Sequence, residues 1–308
     1  MKLDYVYFEK LLNFTFSDKV RDEINDYNIE ISNLSEFEQS QITNKIKNVI
    51  DSTEEENSKV KKAGNHRLQE WNFGWNENSI EFEKTKNLDS LIPKYFGKYD
   101  IVRLDSEFKQ VVSPNAELNM LRILQKYVYE KYIINSTSIY EFGCGTGHNL
   151  VELNKVSGIE KVFGFDWTST PENIFKNLNL HYAKDFMFRT FDFTQPDYDV
   201  EILDNSSVCT FAALEQIGEN NQKFIDFLVS KRPGICIHLE PIKELLDENE
   251  EFQKLSIDYI TKRNYLSNFY NNLKNLEKLG VIEIIESKRT KIGSLFLEGY
   301  NLVVWKVK

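Results

Sequence analysis

Three glycines alternate with other residues in one short stretch of the chain, Y-E-F-G-C-G-T-G-H-N at residues 140–149. The chain has only 13 glycines among its 308 residues, so a cluster this dense needs a local reason. Glycine weakens a strand or a helix, and it is favoured where the backbone turns sharply or approaches another group closely. The pattern therefore predicts a loop that turns sharply or approaches another group closely, and two classes of cofactor-binding protein use such a loop.

Polar side chains at two later points of the chain have the chemistry for proton transfer. The stretch T-F-A-A-L-E-Q-I-G carries Glu215, and H-L-E-P carries His238 and Glu240. An imidazole can hold or release a proton near neutral pH, and a carboxylate can act as a general base. A strand histidine bonded to its neighbours would look the same, so both roles of His238 stay open. The three lack dense ligand spacing, and we expect no metal.

Charge and cysteine content argue against several classes of protein. The net charge is −10, whereas a protein that binds nucleic-acid phosphates needs a basic surface. The three cysteines form no C-x-x-C pair, which disfavours a disulfide scaffold or a zinc site and fits a reducing compartment. The sequence predicts a protein without a nucleic-acid partner and leaves its oligomeric state open.

No segment has the features of a membrane span or a signal peptide. No run of roughly 18 apolar residues occurs, and Asp4 and Glu9 interrupt the N-terminal segment where a signal peptide would need an apolar core. We therefore expect a cytoplasmic protein.

The elements that must position these residues alternate between strand and helix from residue 137 onward. Such alternation is typical of a parallel α/β sheet. A helix over 114–133 precedes it, and helices are predicted at 148–156 and 170–180. The predicted strands are 137–142, 161–166, 186–192, 206–211 and 234–240.

The chain ends in two further strands, 281–289 and 299–308, joined by nine residues. A parallel crossover needs about a dozen residues or more. The two strands are therefore predicted to form an antiparallel hairpin at the edge of the sheet.

The spacing of the glycines separates two classes of cofactor-binding protein. A dinucleotide-binding oxidoreductase uses G-x-G-x-x-G, but His148 stands where the third glycine is required. The observed E-x-G-x-G-x-G, followed by the strands above, resembles the first motif of class I S-adenosylmethionine-dependent methyltransferases over residues 115–308. The resemblance implies a Rossmann-like α/β sheet of parallel strands with an antiparallel last strand.

Two domains follow from this resemblance. Residues 114–308 would bind S-adenosylmethionine and release S-adenosylhomocysteine. Residues 1–113, where apolar residues recur at helical spacing, are expected to be a mainly helical region that recognises the acceptor or covers the site.

The resemblance also assigns residues to the cofactor. Gly143, Gly145 and Gly147, with Cys144 between them, match the loop under the methionine and ribose parts. Glu141 matches the acidic position associated with the charged end of the cofactor.

Two later strands end in further candidate cofactor residues. Asp166 is suited to accept two charge-assisted hydrogen bonds from ribose hydroxyls, and Trp167 beside it could lie along the adenine. Asp192 matches the position that accepts the adenine amino hydrogen, with Phe193 stacking nearby. An aspartate that only shapes a turn would look the same at position 192.

The N-terminal region supplies candidate residues for the acceptor. Aromatic faces beside charged donors suit a stacked sugar ring or an acidic group held by arginine. Tryptophans that simply form core between two regions are the alternative. The candidates are His66, Arg67, Trp71, Trp75 and Arg103.

The expected function is methyl transfer from S-adenosylmethionine to a hydroxyl of a small molecule, such as a sugar or a glycan precursor. The Asn/Asp-Pro-Pro-aromatic motif typical of nucleobase-methylating enzymes is absent, because T-F-A-A-L-E-Q stands in its place. A methyltransferase for protein or nitrogen acceptors, and a non-catalytic binding protein on the same fold, remain alternatives. We expect the acceptor between the N-terminal region and the ends of the fourth and fifth strands.

Overall fold

The computed structural model describes residues 1–52, 61–154 and 159–308. In the N-terminal part, its elements are β1 (Lys2–Leu3), α1 (Tyr5–Leu12), α2 (Asp18–Asp26), β2 (Ile29–Asn33), α3 (Glu36–Asp51), α4 (Leu68–Thr85), β3 (Ile101–Leu104) and β4 (Glu107–Val111). The following elements are α5 (Ala116–Val128), β5 (Ser138–Phe142), α6 (His148–Leu153), β6 (Lys161–Asp166), α7 (Pro171–Tyr182), β7 (Phe186–Thr190), β8 (Ser206–Phe211), α8 (Gln222–Lys231), β9 (Ile235–Glu240), α9 (Glu251–Lys262), α10 (Phe269–Lys278), β10 (Ile282–Lys288), β11 (Ile292–Gly293) and β12 (Asn301–Val307).

The larger sheet has seven strands in the order β10-β12-β9-β8-β5-β6-β7. Strands β5 to β9 run parallel, and β12 is antiparallel to both of its neighbours. Strand β12 is thus the antiparallel last strand that the resemblance implies. The predicted fold, a Rossmann-like sheet with an antiparallel last strand, is confirmed.

The central strands are buried along their whole length, as expected for parallel strands covered on both faces. S-I-Y-E-F of β5 and S-S-V-C-T-F of β8 contain no exposed position. Because parallel strands begin and end at common edges, the loops that follow β5, β6 and β8 meet at one edge of the sheet. The predicted helix at 148–156 is observed over His148–Leu153, and residues 155–158 lie outside the described residues.

The N-terminal region contains strands that the sequence analysis missed. Helices α1 to α4 are present, but an antiparallel sheet of order β1-β2-β4-β3-β11 accompanies them. Its strands have only two to five residues, too few for a clear alternating pattern. Strand β11 comes from the connection between β10 and β12, with Ile292 opposite Leu104. The segment from β10 to β12 therefore contributes strands to both sheets.

Across the described part of the chain, no helix combines the length and apolar character needed to cross a membrane.

Candidate functional site

The glycine loop between β5 and α6 has a backbone that requires glycine. The φ angles of Gly143, Gly145 and Gly147 are +78°, +50° and +76°, in the left-handed region that other residues rarely adopt. Space is also short, since a Cβ at Gly143 would lie 2.2 Å from the Cβ of Ala213. A Cβ at Gly145 would lie 2.9 Å from Cζ2 of Trp75. The loop is thus held between α4 and the turn after β8.

A cavity lies against this loop, and we call it the cofactor cavity. Side chains from α4, the glycine loop and the ends of β6 and β8 form its walls. Six of the predicted cofactor residues line it, namely Gly143, Cys144, Gly145, Asp166, Trp167 and Phe193. Glu141, Gly147 and Asp192 do not line it.

The carboxylate of Asp166 connects β6 to the glycine loop. Its Oδ2 accepts a hydrogen bond from the backbone N–H of Gly145 at 3.0 Å. Its Oδ1 accepts from the N–H and the hydroxyl of Thr168, at 2.9 and 2.7 Å. Burial raises the pKa of this carboxyl group, and these hydrogen bonds oppose the shift. Two carboxylate oxygens have about four acceptor positions, so at least one remains for a ligand hydroxyl.

Glu141, in β5, bonds to a residue of the cofactor cavity, Asn149, and has one oxygen unpaired. Its Oε1 accepts from Nδ2 of Asn149 at 2.7 Å, and Asn149 in turn accepts from Gln125 at 2.6 Å. No described group bonds to Oε2, although that atom is buried. Burial, with a smaller contribution from Asp166, raises the pKa of Glu141 to about 8. A buried carboxylate oxygen without a donor is costly unless a further group pairs with it.

Asp192 shapes its own turn. Its Oδ1 accepts from both the backbone N–H and the hydroxyl of Thr194, each at 2.7 Å. This is the turn role that the sequence left open, and its assignment to adenine stays a prediction. The neighbouring Phe193 does line the cofactor cavity.

A second cavity adjoins the first, and we call it the aromatic cavity. The two cavities share Trp71, Tyr95, His148, Asn149, Phe211 and Ala212. Further rings around the second cavity come from Phe96, Tyr99, Tyr259, Tyr265, Phe296 and Tyr300. A molecule in the aromatic cavity would therefore lie beside a molecule in the cofactor cavity.

Two carboxyl groups line the aromatic cavity. Glu215 accepts from Nε2 of Gln216 at 2.8 Å, and burial raises its pKa to about 7. Glu117, in the first turn of α5, accepts from the hydroxyl of Tyr300 at 2.9 Å, and burial also raises its pKa to about 7. Sequence reasoning missed Glu117, because an acid in the first turn of a helix is common for electrostatic reasons.

His148, the first residue of α6, lines both cavities. The hydroxyl of Thr146 donates to the carbonyl oxygen of Leu91 at 2.5 Å, so it can only accept from Nδ1 of His148, 3.4 Å away. Nε2 is then unprotonated, and it has no partner among the described residues. Burial lowers the pKa of His148 to about 3, which keeps the ring neutral.

His238 is a core residue, and its predicted role as a base is wrong. Its Nε2 accepts from Nε1–H of Trp305 at 3.0 Å, and its Nδ1 lies 2.9 Å from the hydroxyl of Thr210. Both ring nitrogens are therefore paired, the side chain is fully buried, and it lines neither cavity. Burial lowers its pKa to about 3.

Glu240 is fully buried with one carboxylate oxygen unpaired, and its catalytic role stays a prediction. Its Oε1 accepts from the backbone N–H of Ala213 at 3.0 Å, and it lines neither cavity. It fixes the turn that carries Glu215. Among the described residues, no group of three or more His, Cys, Asp or Glu is arranged to hold a metal ion.

Three predicted acceptor residues lie at the two cavities. Arg67 lines the aromatic cavity and donates to Oε1 of Gln216 at 3.1 Å. Trp71 lines both cavities, whereas Trp75 lines only the cofactor cavity, is 8% exposed and packs on Gly145. The structure therefore places Trp75 on the cofactor side.

The other two predicted acceptor residues lie elsewhere. His66 is exposed and lines neither cavity. Arg103 is fully buried between the rings of Phe108 and Phe252, and it donates to the carbonyl oxygen of Phe252 at 2.8 Å. Because the two rings and this carbonyl enclose its guanidinium, the acceptor role predicted for Arg103 is wrong.

Comparison with known proteins gave matches among solved structures only. No family model matches the chain, and no curated protein matches it. Magnesium protoporphyrin IX methyltransferase from Synechocystis PCC 6803 is 15% identical, with a TM-score of 0.44 over 61% of this chain and 82% of that one. An O-methyltransferase family protein from Burkholderia thailandensis is 12% identical, with a TM-score of 0.44 over 63% and 57%. A methyltransferase from Aquifex aeolicus is 16% identical, with a TM-score of 0.41 over 60% and 89%. At these identities the likeness concerns the fold alone.

Proposed function

We propose that this chain is an S-adenosylmethionine-dependent methyltransferase that modifies a hydroxyl group of a small molecule. A sugar or a glycan precursor is the favoured acceptor. The observation that carries the proposal is that the cavity on the glycine loop adjoins a second cavity, lined by aromatic rings and carboxyl groups, with which it shares six lining residues.

The residues of the cofactor cavity fit S-adenosylmethionine. Oε2 of Glu141 is buried without a partner and can accept a hydrogen bond, and a nearby ammonium group of the cofactor would favour the ionised form of this carboxyl group. Asp166 keeps acceptor capacity for a ribose hydroxyl, and Trp167 and Phe193 offer flat faces for adenine. When bound, this cofactor supplies a methyl group that its sulfonium already activates.

The chain's own contribution is alignment, exclusion of water and removal of one proton. Aromatic rings around the second cavity exclude water and can stack on a sugar ring. Glu215 is the favoured base, because it alone of the three predicted bases lines the aromatic cavity. Its carboxylate form would take the proton from the acceptor hydroxyl, and holding the two reactants side by side lowers the entropic barrier. Glu117 is a second carboxyl group within the same cavity.

Calorimetric titration with S-adenosylhomocysteine tests the cofactor half of the proposal. We expect binding to the wild-type protein, clear weakening in Asp166→Ala, and no binding of NAD⁺. Absence of heat with S-adenosylhomocysteine at high protein concentration would overturn the proposed function.

A methyl-transfer assay tests the acceptor half. Methyl-labelled S-adenosylmethionine is incubated with the protein and separate sets of monosaccharides, sugar phosphates, amines and a protein mixture. We expect label in an alkali-stable ether of a sugar. Label that enters only the amine or the protein set would contradict a hydroxyl acceptor and leave the cofactor assignment intact.

A further inference from the structure

The aromatic cavity contains a buried arginine with an unused hydrogen-bond donor. Arg263 follows α9 directly, is 7% exposed and lines the cavity. Its Nη2 donates to the hydroxyl of Tyr265 at 3.0 Å, and its guanidinium lies 5.0 Å from the centre of that ring. Its Nε–H is buried and has no partner among residues 1–52, 61–154 and 159–308.

Within the same described ranges, Arg263 makes no ion pair with a carboxylate. A buried cation loses its hydration, and that loss is compensated only by an opposite charge and by hydrogen bonds to all its donors. The carbonyl end of α9 carries a partial negative charge, which helps the cation but does not bond to Nε–H. Burial opposes the charge of Arg263, but Tyr265, Tyr259 and Glu215 raise its pKa overall, so the guanidinium stays charged. The described residues thus supply neither a partner for Nε–H nor a carboxylate within ion-pair distance.

Two other arginines show why this one is distinct. Arg67 lines the same cavity, but it already donates to Gln216 and is paired with Glu70. Arg103 also has an unpaired nitrogen, but its guanidinium is enclosed by two phenylalanine rings and lines neither cavity. Of the three, only Arg263 combines burial, a free donor and access to the cavity.

We propose that Arg263 binds an oxyanion, a carboxylate or a phosphate, carried by the methyl acceptor. This inference rests on the proposed function, since it describes the acceptor of that same site. A guanidinium presents its N–H donors in a planar fork that suits both kinds of oxyanion. Lys98 lines the same cavity and adds positive charge there. The acceptor class is therefore an acidic hydroxyl compound, such as a uronic acid or a sugar phosphate.

Calorimetry on the protein saturated with S-adenosylhomocysteine tests this assignment with three probes, D-glucuronate, D-glucose 1-phosphate and D-glucose. We expect at least one anionic sugar to bind about tenfold or more tightly than glucose, and Arg263→Gln to remove that advantage. Arg263→Lys keeps the charge but loses the planar fork of donors. Its affinity for the anionic sugar should therefore lie between the affinities of the wild type and of Arg263→Gln. Preference for glucuronate would indicate a carboxylate, and preference for the phosphate ester would indicate a phosphate.

The matched control is Arg189→Gln, which removes an exposed arginine of β7 that is paired with Asp197. It should bind the anionic sugars as the wild type does. Equal affinity for glucose and both anions, no binding of any probe, or unchanged anion binding in Arg263→Gln would each overturn the inference. Running the same titrations without S-adenosylhomocysteine separates the two claims. A protein that binds anions but not S-adenosylhomocysteine would contradict the proposed function and not the anion site.

Discussion

The indole Nε1–H of Trp305 donates to Nε2 of His238 across 3.0 Å in the core of the sheet. Because an indole nitrogen can only donate, the imidazole must carry its proton on Nδ1, toward the hydroxyl of Thr210. The ring is thus fixed as a neutral acceptor for Trp305. This contact turns a histidine suited by type to proton transfer into part of the hydrophobic core.

Replacing His238 should therefore change stability and leave cofactor binding intact. His238→Leu leaves the Trp305 donor unsatisfied, which we expect to cost about 1–3 kcal/mol of unfolding free energy. His238→Gln can still present an acceptor and should cost less. Urea unfolding and titration with S-adenosylhomocysteine measure the two effects, and a large loss of affinity in a folded His238→Leu protein would contradict a structural role.

His238 should also make the free energy of unfolding depend on pH. The folded-state pKa is about 3, below the ordinary value of 6.5, so the unfolded chain binds the proton first. The contribution of neutral His238 is complete above pH 6.5 and is lost as the pH falls toward 3. Between these limits the wild type should lose stability faster than His238→Gln, by up to about 1.4 kcal/mol per pH unit. Parallel pH profiles of the two proteins would contradict the buried neutral ring.

Glu240 should produce a pH dependence of opposite sign. Burial raises its pKa from 4.5 to about 8, so the folded state retains the proton that the unfolded chain has released. The stability that protonated Glu240 contributes is complete below pH 4.5 and is lost as the pH rises through 8. Glu240→Gln keeps an acceptor for the Ala213 N–H and cannot ionise. We expect the urea midpoint of Glu240→Gln to rise relative to that of the wild type between pH 5 and pH 8. A constant difference between the two midpoints would disprove the raised pKa of Glu240.

Because Gly145 contacts Trp75, substitutions at the two positions should have non-additive effects on the free energy of unfolding. Gly145→Ala combines a strained φ of +50° with a methyl group 2.9 Å from the Trp75 ring, so it should destabilise the loop and weaken S-adenosylhomocysteine binding. Trp75→Ala removes the clash but not the strain. The double variant should then be more stable than the sum of the two single effects. Additive free energies of unfolding would show that the two residues do not meet.

Glu215 should control a pH limb of the methyl-transfer rate. With a pKa of about 7, the carboxylate that accepts the proton is formed only as the pH rises through neutrality. We expect kcat to increase along this limb and Glu215→Gln to reduce kcat by about 10²–10⁴-fold. Binding of S-adenosylhomocysteine serves as the control and should stay unchanged. Glu117→Gln gives the comparison within the same cavity, and loss of kcat in that variant alone would assign the base to Glu117.

The sheet could be predicted from the sequence, whereas the side chains that line the cavities could be predicted only in part. The parallel strands carry their own local patterns, and a loop that needs glycine at positive φ is visible as glycine, so the turn at Gly143 and Gly145 can be predicted from the sequence. His238 and Arg103 failed because burial and partners come from distant segments, namely Trp305 for one and Phe252 for the other. Arg263 carries no motif at all. Only the tertiary structure shows that Arg263 is buried beside a cavity.

A crystal structure with S-adenosylhomocysteine would show directly whether the two cavities bind cofactor and acceptor side by side. We expect the ligand in the cavity on the glycine loop, with its ribose hydroxyls within hydrogen-bonding distance of Asp166 and its sulfur directed toward the aromatic cavity. Its ammonium group should approach the carboxylate of Glu141 or the Asn149 amide bound to it. A ligand bound elsewhere, or a sulfur directed away from Glu215 and the aromatic rings, would contradict the account.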